Sequence, residues 1–210
     1  PHRGPQMAAE LNPAPVVQRQ ASLHEGEPCG DAALHLILPG PAGAPPVHLL
    51  AIIDGLGHGA EAALAAQAAL AVIAEHAALP LAALFAQLDQ GLMGSRGAAI
   101  GLARIQGRHL QHAAVGNTRA LCWDGSRSLR LPSQYGIVGA GLRQPVMVNE
   151  WRLHEADWLL LFTDGLDERL SLGLRLPEWT REPDLLCEHL MAHWRKTPDD
   201  ACVLVWTPGA

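Results

Sequence analysis

Five aspartates stand at the ends of apolar runs, where a carboxylate can project from the rim of a sheet. Asp54 closes the run Leu49-Leu50-Ala51-Ile52-Ile53, and Asp164 follows the run Trp158 to Phe162 across Thr163; each is followed by glycine. Asp31 opens the run Ala32 to Leu38, and Asp199 and Asp200 open Ala201 to Trp206. One Asp beside an apolar run is ordinarily a turn former or cap. Several are harder to dismiss, because crowded carboxylates repel, are costly to bury, and are relieved by cations. Oxygen donors without His or Cys suit magnesium or manganese better than zinc. A pair of such ions would lower the pKa of a water between them and arm it against phosphorus. Hydrolysis of phosphate monoesters is among the slowest uncatalysed reactions, so it needs that electrostatic help.

The turn after Asp54 fits the same chemistry. Gly55, Gly57 and Gly59 interrupt Leu56 and His58, leaving backbone carbonyls and amides uncovered. An alanine-rich segment follows and reads as a helix over Gly57 to Ala77. Its first amides face back to the turn and favour an anion there. Carboxylate and bare carbonyls suit a hard cation; the helix start suits a phosphate.

The elements that must position these residues can be read in order. Val16 to Leu23, Ala32 to Leu38 and Val47 to Asp54 read as strands, the last two joined by the proline- and glycine-rich Pro39 to Pro46 and therefore antiparallel. Pro80 starts a second helix ending near Leu92, and Gly94-Ser95-Arg96-Gly97 breaks it. Strands follow at Ala98 to Ile105, His109 to Val115 and Thr118 to Trp123, with Leu129 to Leu131 pairing back. Gln134 to Leu142 reads as a loop. Val146 to Leu153 alternates like a half-exposed strand, Trp158 to Phe162 is fully apolar, Pro183 to Trp194 has helical spacing, and Asp200 to Trp206 is a last buried strand. Strand runs joined by short connections, with few βαβ units, predict an α+β fold of antiparallel sheets with helices on their outer faces. Residues 1–12 read as a disordered start, with Pro1 to Gln6 an expression remnant or frayed end, and residues 13–210 as one domain.

Composition narrows the partners. The formal net charge is −6 and only 17% of the 210 residues are charged, which argues against nucleic acid or an anionic membrane as partner. No apolar run approaches the roughly 20 residues of a membrane helix, and the N-terminus lacks a signal-peptide pattern, so a cytoplasmic protein is expected. Cys29, Cys122, Cys187 and Cys202 form no Cys-x-x-Cys pair, which removes zinc-ribbon and thioredoxin readings and leaves reduced, buried thiols. Most of the scattered histidines are expected at the surface or its boundary.

Taken together, Asp54-Gly55-Leu56-Gly57-His58-Gly59, Thr163-Asp164-Gly165-Leu166 and Asp199-Asp200-Ala201-Cys202-Val203-Leu204-Val205 resemble motifs of the metal-dependent PP2C-type (PPM) serine/threonine phosphatases. The likeness is to their bacterial sporulation and stress-response branch, which includes SpoIIE and the stressosome phosphatase RsbX. Gly30-Asp31-Ala32-Ala33 and Val115-Gly116-Asn117-Thr118-Arg119 fit as well, so the resemblance spans about Ser22 to Trp206. It implies an αββα sandwich with two Mn²⁺ or Mg²⁺ ions at one end. By that resemblance Asp54 bridges both ions, the Gly55 carbonyl binds one, Asp31 acts as a ligand or through bound water, and Asp164 and Asp199 hold the other. Asp199 is chosen over Asp200 because the first acidic residue of that motif is the ligand, and neighbours on a strand point to opposite faces.

The chain also departs from the pattern. Many eukaryotic members carry a phosphate-gripping arginine just before the first Asp, but His24 to Gly30 contains none. Phosphate is then left to the metals, to amides near Gly57, or to the partner's surface. Asn117 stands where the family often has an Asp, which weakens the case for a third metal. His58 is offset from the histidine proposed as general acid, so a structural place at the helix start is expected of it, with proton donation the alternative. No sensor, receiver or membrane module is recognised beside the catalytic region. The implied substrate is a phosphoserine or phosphothreonine on a STAS-domain protein of a stressosome or partner-switching pathway, met by a monomer or weak dimer. The Gln134 to Pro145 loop, with Tyr135 and Arg143, is either a docking element or a plain surface loop. Two other functions stand beside the phosphatase: a catalytically weak module that binds the phosphoprotein, and a hydrolase of small phosphate esters.

Overall fold

The structure, a computed structural model, describes residues 16–170 and 182–208; the reading of residues 1–12 as a disordered start lies outside them. In chain order the elements are β1 (Val16–Ala21), β2 (Asp31–Leu38), β3 (Val47–Gly55), α1 (Ala60–Glu75), α2 (Leu81–Gly91), β4 (Ala98–Gln106), β5 (His109–Val115), β6 (Arg119–Trp123), β7 (Ser128–Arg130), β8 (Asn149–Arg152), β9 (Trp158–Phe162), α3 (Pro183–His193) and β10 (Ala201–Trp206). Two five-stranded sheets form, ordered β1-β10-β9-β6-β7 and β2-β3-β4-β5-β8. Every strand pairing within them is antiparallel.

Continuous apolar runs become strands here because both of their faces are covered. On β3, Leu49, Ala51 and Ile53 meet α1 and α2, while Leu50 and Ile52 face the other sheet. On β9, Leu159 and Leu161 point between the sheets, while Leu160 and Phe162 pack beneath α3. Strand β10 divides in the same way, Cys202 and Leu204 inward, Val203 and Val205 toward α3. The result is helices, sheet, sheet, helix: an αββα sandwich, as expected. Helix α1 is apolar nearly all round because it covers the sheet and also leans on α2.

Some expected bounds shift. The alternating stretch Val146 to Leu153 pairs only over Asn149–Arg152, because its partner β5 offers four residues of register, His109 to His112. Helix α1 starts at Ala60 rather than Gly57, since Gly57 and Gly59 take φ of 88° and 73°, outside the helical region. Cys122, Cys187 and Cys202 are buried free thiols, whereas Cys29 is only half-buried. His112 is a buried exception among the histidines, at 1% exposure, and burial lowers its pKa to about 4.

Candidate metal centre

The antiparallel register brings the aspartates to one end of the sandwich. Asp31 begins β2 and Asp54 lies at the end of β3, so the pairing that aligns Leu38 with Val47 also sets Asp31 directly opposite Asp54. In the other sheet β9 runs against β10, and the Thr163 amide donates to the Cys202 carbonyl at 3.0 Å. Asp164 therefore leaves β9 beside the place where Asp199 and Asp200 enter β10. The two sheets are stitched at this end. The buried Asp200 carboxylate accepts the Leu23 amide at 2.5 Å and the Gly30 amide at 2.7 Å. The Gly30 carbonyl in turn accepts the Gly55 amide at 3.0 Å. Glycine is required where these backbones touch. A Cβ on Gly55 would lie 2.3 Å from the Ala62 carbonyl oxygen, and one on Gly165 would lie 1.8 Å from that of Asp200.

The electrostatics record the crowding. Burial pushes the Asp54 carboxyl up, and the neighbouring Asp31, Asp164 and Asp199 push it further. Asp31 is also raised, by burial first and by Asp200, Asp199 and Asp164, against a hydrogen bond from Thr163. Its Oδ2 is buried and has no hydrogen-bond partner. Asp199, half-buried, is raised by burial and by Asp164, with Lys196 opposing. Asp164 Oδ2 accepts a hydrogen bond from the Asn117 amide at 2.6 Å.

An orphaned buried carboxylate oxygen and several carboxyls raised by one another are what a divalent cation would relieve. The donors are all oxygen, and they fit Mg²⁺ or Mn²⁺ in kind. Among the described residues no three of these side chains are drawn together into a finished metal cage. The strand register sets Asp31 opposite Asp54 and brings Asp164 beside the start of β10, at the same end of the sandwich, while Asp200 is occupied by backbone amides. The Gly55 carbonyl lies in the same turn. His58 is exposed at the start of α1, and α1 has no side-chain cap.

Beside this end runs an open groove of about 840 Å³, lined by Leu56, Asn117, Arg119, Tyr135, Ile137 and Arg143 among others. One wall is the Gln134 to Pro145 loop. It forms isolated bridges, Gln134 with Val115 and Val138 with Ala98, and is clamped by Asp89 of α2. The Asp89 carboxylate accepts the amides of Gly139, Gly141 and Leu142 at 2.7, 3.2 and 2.8 Å. Sequence reasoning missed that clamp, and no spacing signals it. It also missed Arg96, which sits against Gly57; pairing β3 with β4 along their full length would have placed it there.

Among the described residues no helix is long and apolar enough to cross a membrane. Solved structures that share the fold include these three. A chain described with the bacterial stressosome, a modular system adapted to control secondary messenger signalling, gives a TM-score of 0.76 at 29% identity, over 90% of this chain and 97% of that one. RsbX in complex with magnesium gives 0.70 at 17% identity, over 90% and 92%. The PP2C phosphatase domain of SpoIIE from Bacillus subtilis, with a fragment of its regulatory domain, gives 0.72 at 18% identity, over 91% of this chain and 62% of that one. No curated protein matches the chain at a significant level. The family model of stage II sporulation protein E (SpoIIE) matches residues 47–207, which include Asp54, Asp164 and Asp199, and the chain therefore belongs to the SpoIIE family of PP2C-type serine/threonine phosphatases.

Proposed function

We propose that this chain removes phosphate from phosphoserine or phosphothreonine on a STAS-domain regulator of a stressosome or partner-switching pathway, as a cytoplasmic monomer or weak dimer. Asp31, Asp54, the Gly55 carbonyl, Asp164 and Asp199 would hold two Mn²⁺ or Mg²⁺ ions. The observation that carries this reading is the buried Asp31 Oδ2, which has no hydrogen-bond partner and belongs to the residue set directly opposite Asp54 in the β2–β3 register.

The ions, when bound, supply the positive charge that activates water and offsets the phosphoryl oxygens. The chain's own groups do the rest. Asp54 stands opposite Asp31 in the β2–β3 register. Asn117 orients Asp164 through its amide. Asp200 holds the Asp31 and Asp54 strand ends in register through Gly30. The groove suits a protein segment: Tyr135 stands fully exposed beside it, and Ile137 is also exposed. A STAS-domain substrate is favoured because the solved relatives include a stressosome chain and RsbX.

Incubation of the purified chain with phosphorylated STAS-domain proteins, with and without Mn²⁺, tests this. Metal-dependent phosphate release is expected, and faster than from p-nitrophenyl phosphate. Release from none of them counts against the substrate; faster turnover of the small ester favours a small-ester hydrolase. A second reading, a weak phosphoprotein-binding module, draws on Asp164 being engaged by Asn117. Asp54→Asn separates the two, since a binder keeps its affinity and an enzyme loses turnover.

A further inference from the structure

A phosphate dianion approaching Asp31, Asp54, Asp164 and Asp199 meets negative charge, and the segment His24 to Gly30 offers no arginine to offset it. The fold supplies one from elsewhere. Arg96 is exposed in the turn between α2 and β4, and its guanidinium lies against the open face of Gly57. A Cβ at Gly57 would stand 2.7 Å from Arg96 Nη1. Gly57 also takes φ of 88°, so glycine at this position serves both the turn and the close approach of the guanidinium.

The backbone on each side of that contact is fixed. The Leu56 amide donates to the Gly97 carbonyl at 3.1 Å. Ser95 Oγ accepts the Gly97 amide at 3.0 Å and donates to the Leu92 carbonyl at 2.7 Å. Arg96 is thus held beside the turn that follows Asp54.

Nearby arginines are already committed. Arg119 donates to the carbonyls of Asn117 and Thr118 and pairs with Glu168. Arg195 donates to the Ser22 and Asp199 carbonyls. Arg96 has no hydrogen bond or ion pair among the described residues. A guanidinium presents a planar fork of donors that matches two phosphoryl oxygens at once. An unpaired one beside the turn that follows Asp54 is free to make that contact.

We propose that Arg96 grips the phosphoryl group of the substrate, taking from the α2–β4 turn the role that the first strand region leaves unfilled. This rests on the phosphatase reading above and adds a residue to it. The test compares wild type with Arg96→Ala and Arg96→Lys, all loaded with Mn²⁺. Calorimetry measures binding of inorganic phosphate and of Mn²⁺, and kinetics give KM and kcat on p-nitrophenyl phosphate. Arg96→Ala should weaken phosphate binding at least about tenfold and raise KM more than it lowers kcat, with Mn²⁺ affinity and Tm unchanged. Arg96→Lys should recover part of the loss, since it restores the charge but not the fork. Equal phosphate affinity in wild type and Arg96→Ala, or none in wild type, overturns the assignment of Arg96. Wild type that binds phosphate through Arg96 yet releases phosphate from neither p-nitrophenyl phosphate nor a phosphorylated STAS-domain protein would instead overturn the phosphatase reading and leave Arg96 in place.

Discussion

Asp54 and Asp31 are strained as carboxylates and relieved only by a proton or a cation. In an unfolded chain an aspartate ionises near pH 4, whereas burial and neighbouring acids raise Asp54 in the fold. The folded, metal-free state therefore keeps a proton that the unfolded state gives up. The resulting stability is full below about pH 4 and is lost as pH rises through the raised folded value. Melting temperatures of metal-free wild type and Asp54→Asn should cross in order between about pH 5 and about pH 8, the variant being relatively more stable at the higher pH. Histidine contributions are common to both proteins and cancel; a difference that does not move with pH would remove the crowding from the account. Asp199 and Asp200 should part company in the same way. Asp200→Ala strips two backbone amides of a buried carboxylate acceptor and should cost about 3 kcal/mol in denaturant melts. Asp199→Asn should leave stability within about 0.5 kcal/mol while weakening Mn²⁺ binding by calorimetry. Both acids were visible in the sequence, and strand alternation already separated them. That Asp200 is spent on Leu23 and Gly30 was not visible, because those amides arrive from a loop about 170 residues away.

The strands and helices were mostly legible because their apolar runs are long and their breaks are marked by glycine and proline. Trp158 to Phe162 and His109 to Val115 are strands with the expected ends. Val146 to Leu153 was overread: alternation describes a surface that fits a strand, and only the available partner decides how much of it pairs. The loop over Gln134 to Pro145 carries no periodic signal, yet Asp89 holds it against α2 with three amides. If this loop receives the phosphoprotein, Asp89→Ala should raise KM for a phosphorylated STAS-domain protein several-fold and leave p-nitrophenyl phosphate kinetics unchanged. An equal change in both substrates would make the clamp a support of the whole site rather than of docking.

At the scale of the molecule, each sheet supplies half of the acidic cluster, Asp31 and Asp54 from one and Asp164 and Asp199 from the other. The core between the sheets, with Leu50, Ile52, Leu161 and Leu204, thus sets the spacing of the halves, whereas the core beneath α3 does not. Leu161→Ala and Leu186→Ala should each cost about 2–5 kcal/mol, but only the former should also weaken Mn²⁺ binding. The four acids could be named from the sequence, and the family resemblance implied their convergence; the backbone contacts that produce it could not be read there, because they depend on how two sheets stack rather than on any local pattern. Anomalous diffraction from crystals grown in Mn²⁺ measures that convergence directly. Two manganese peaks should appear on either side of the Asp54 carboxylate, one toward Asp31 and the other toward Asp164 and Asp199. A map without manganese among these four side chains, at saturating metal, would contradict the account.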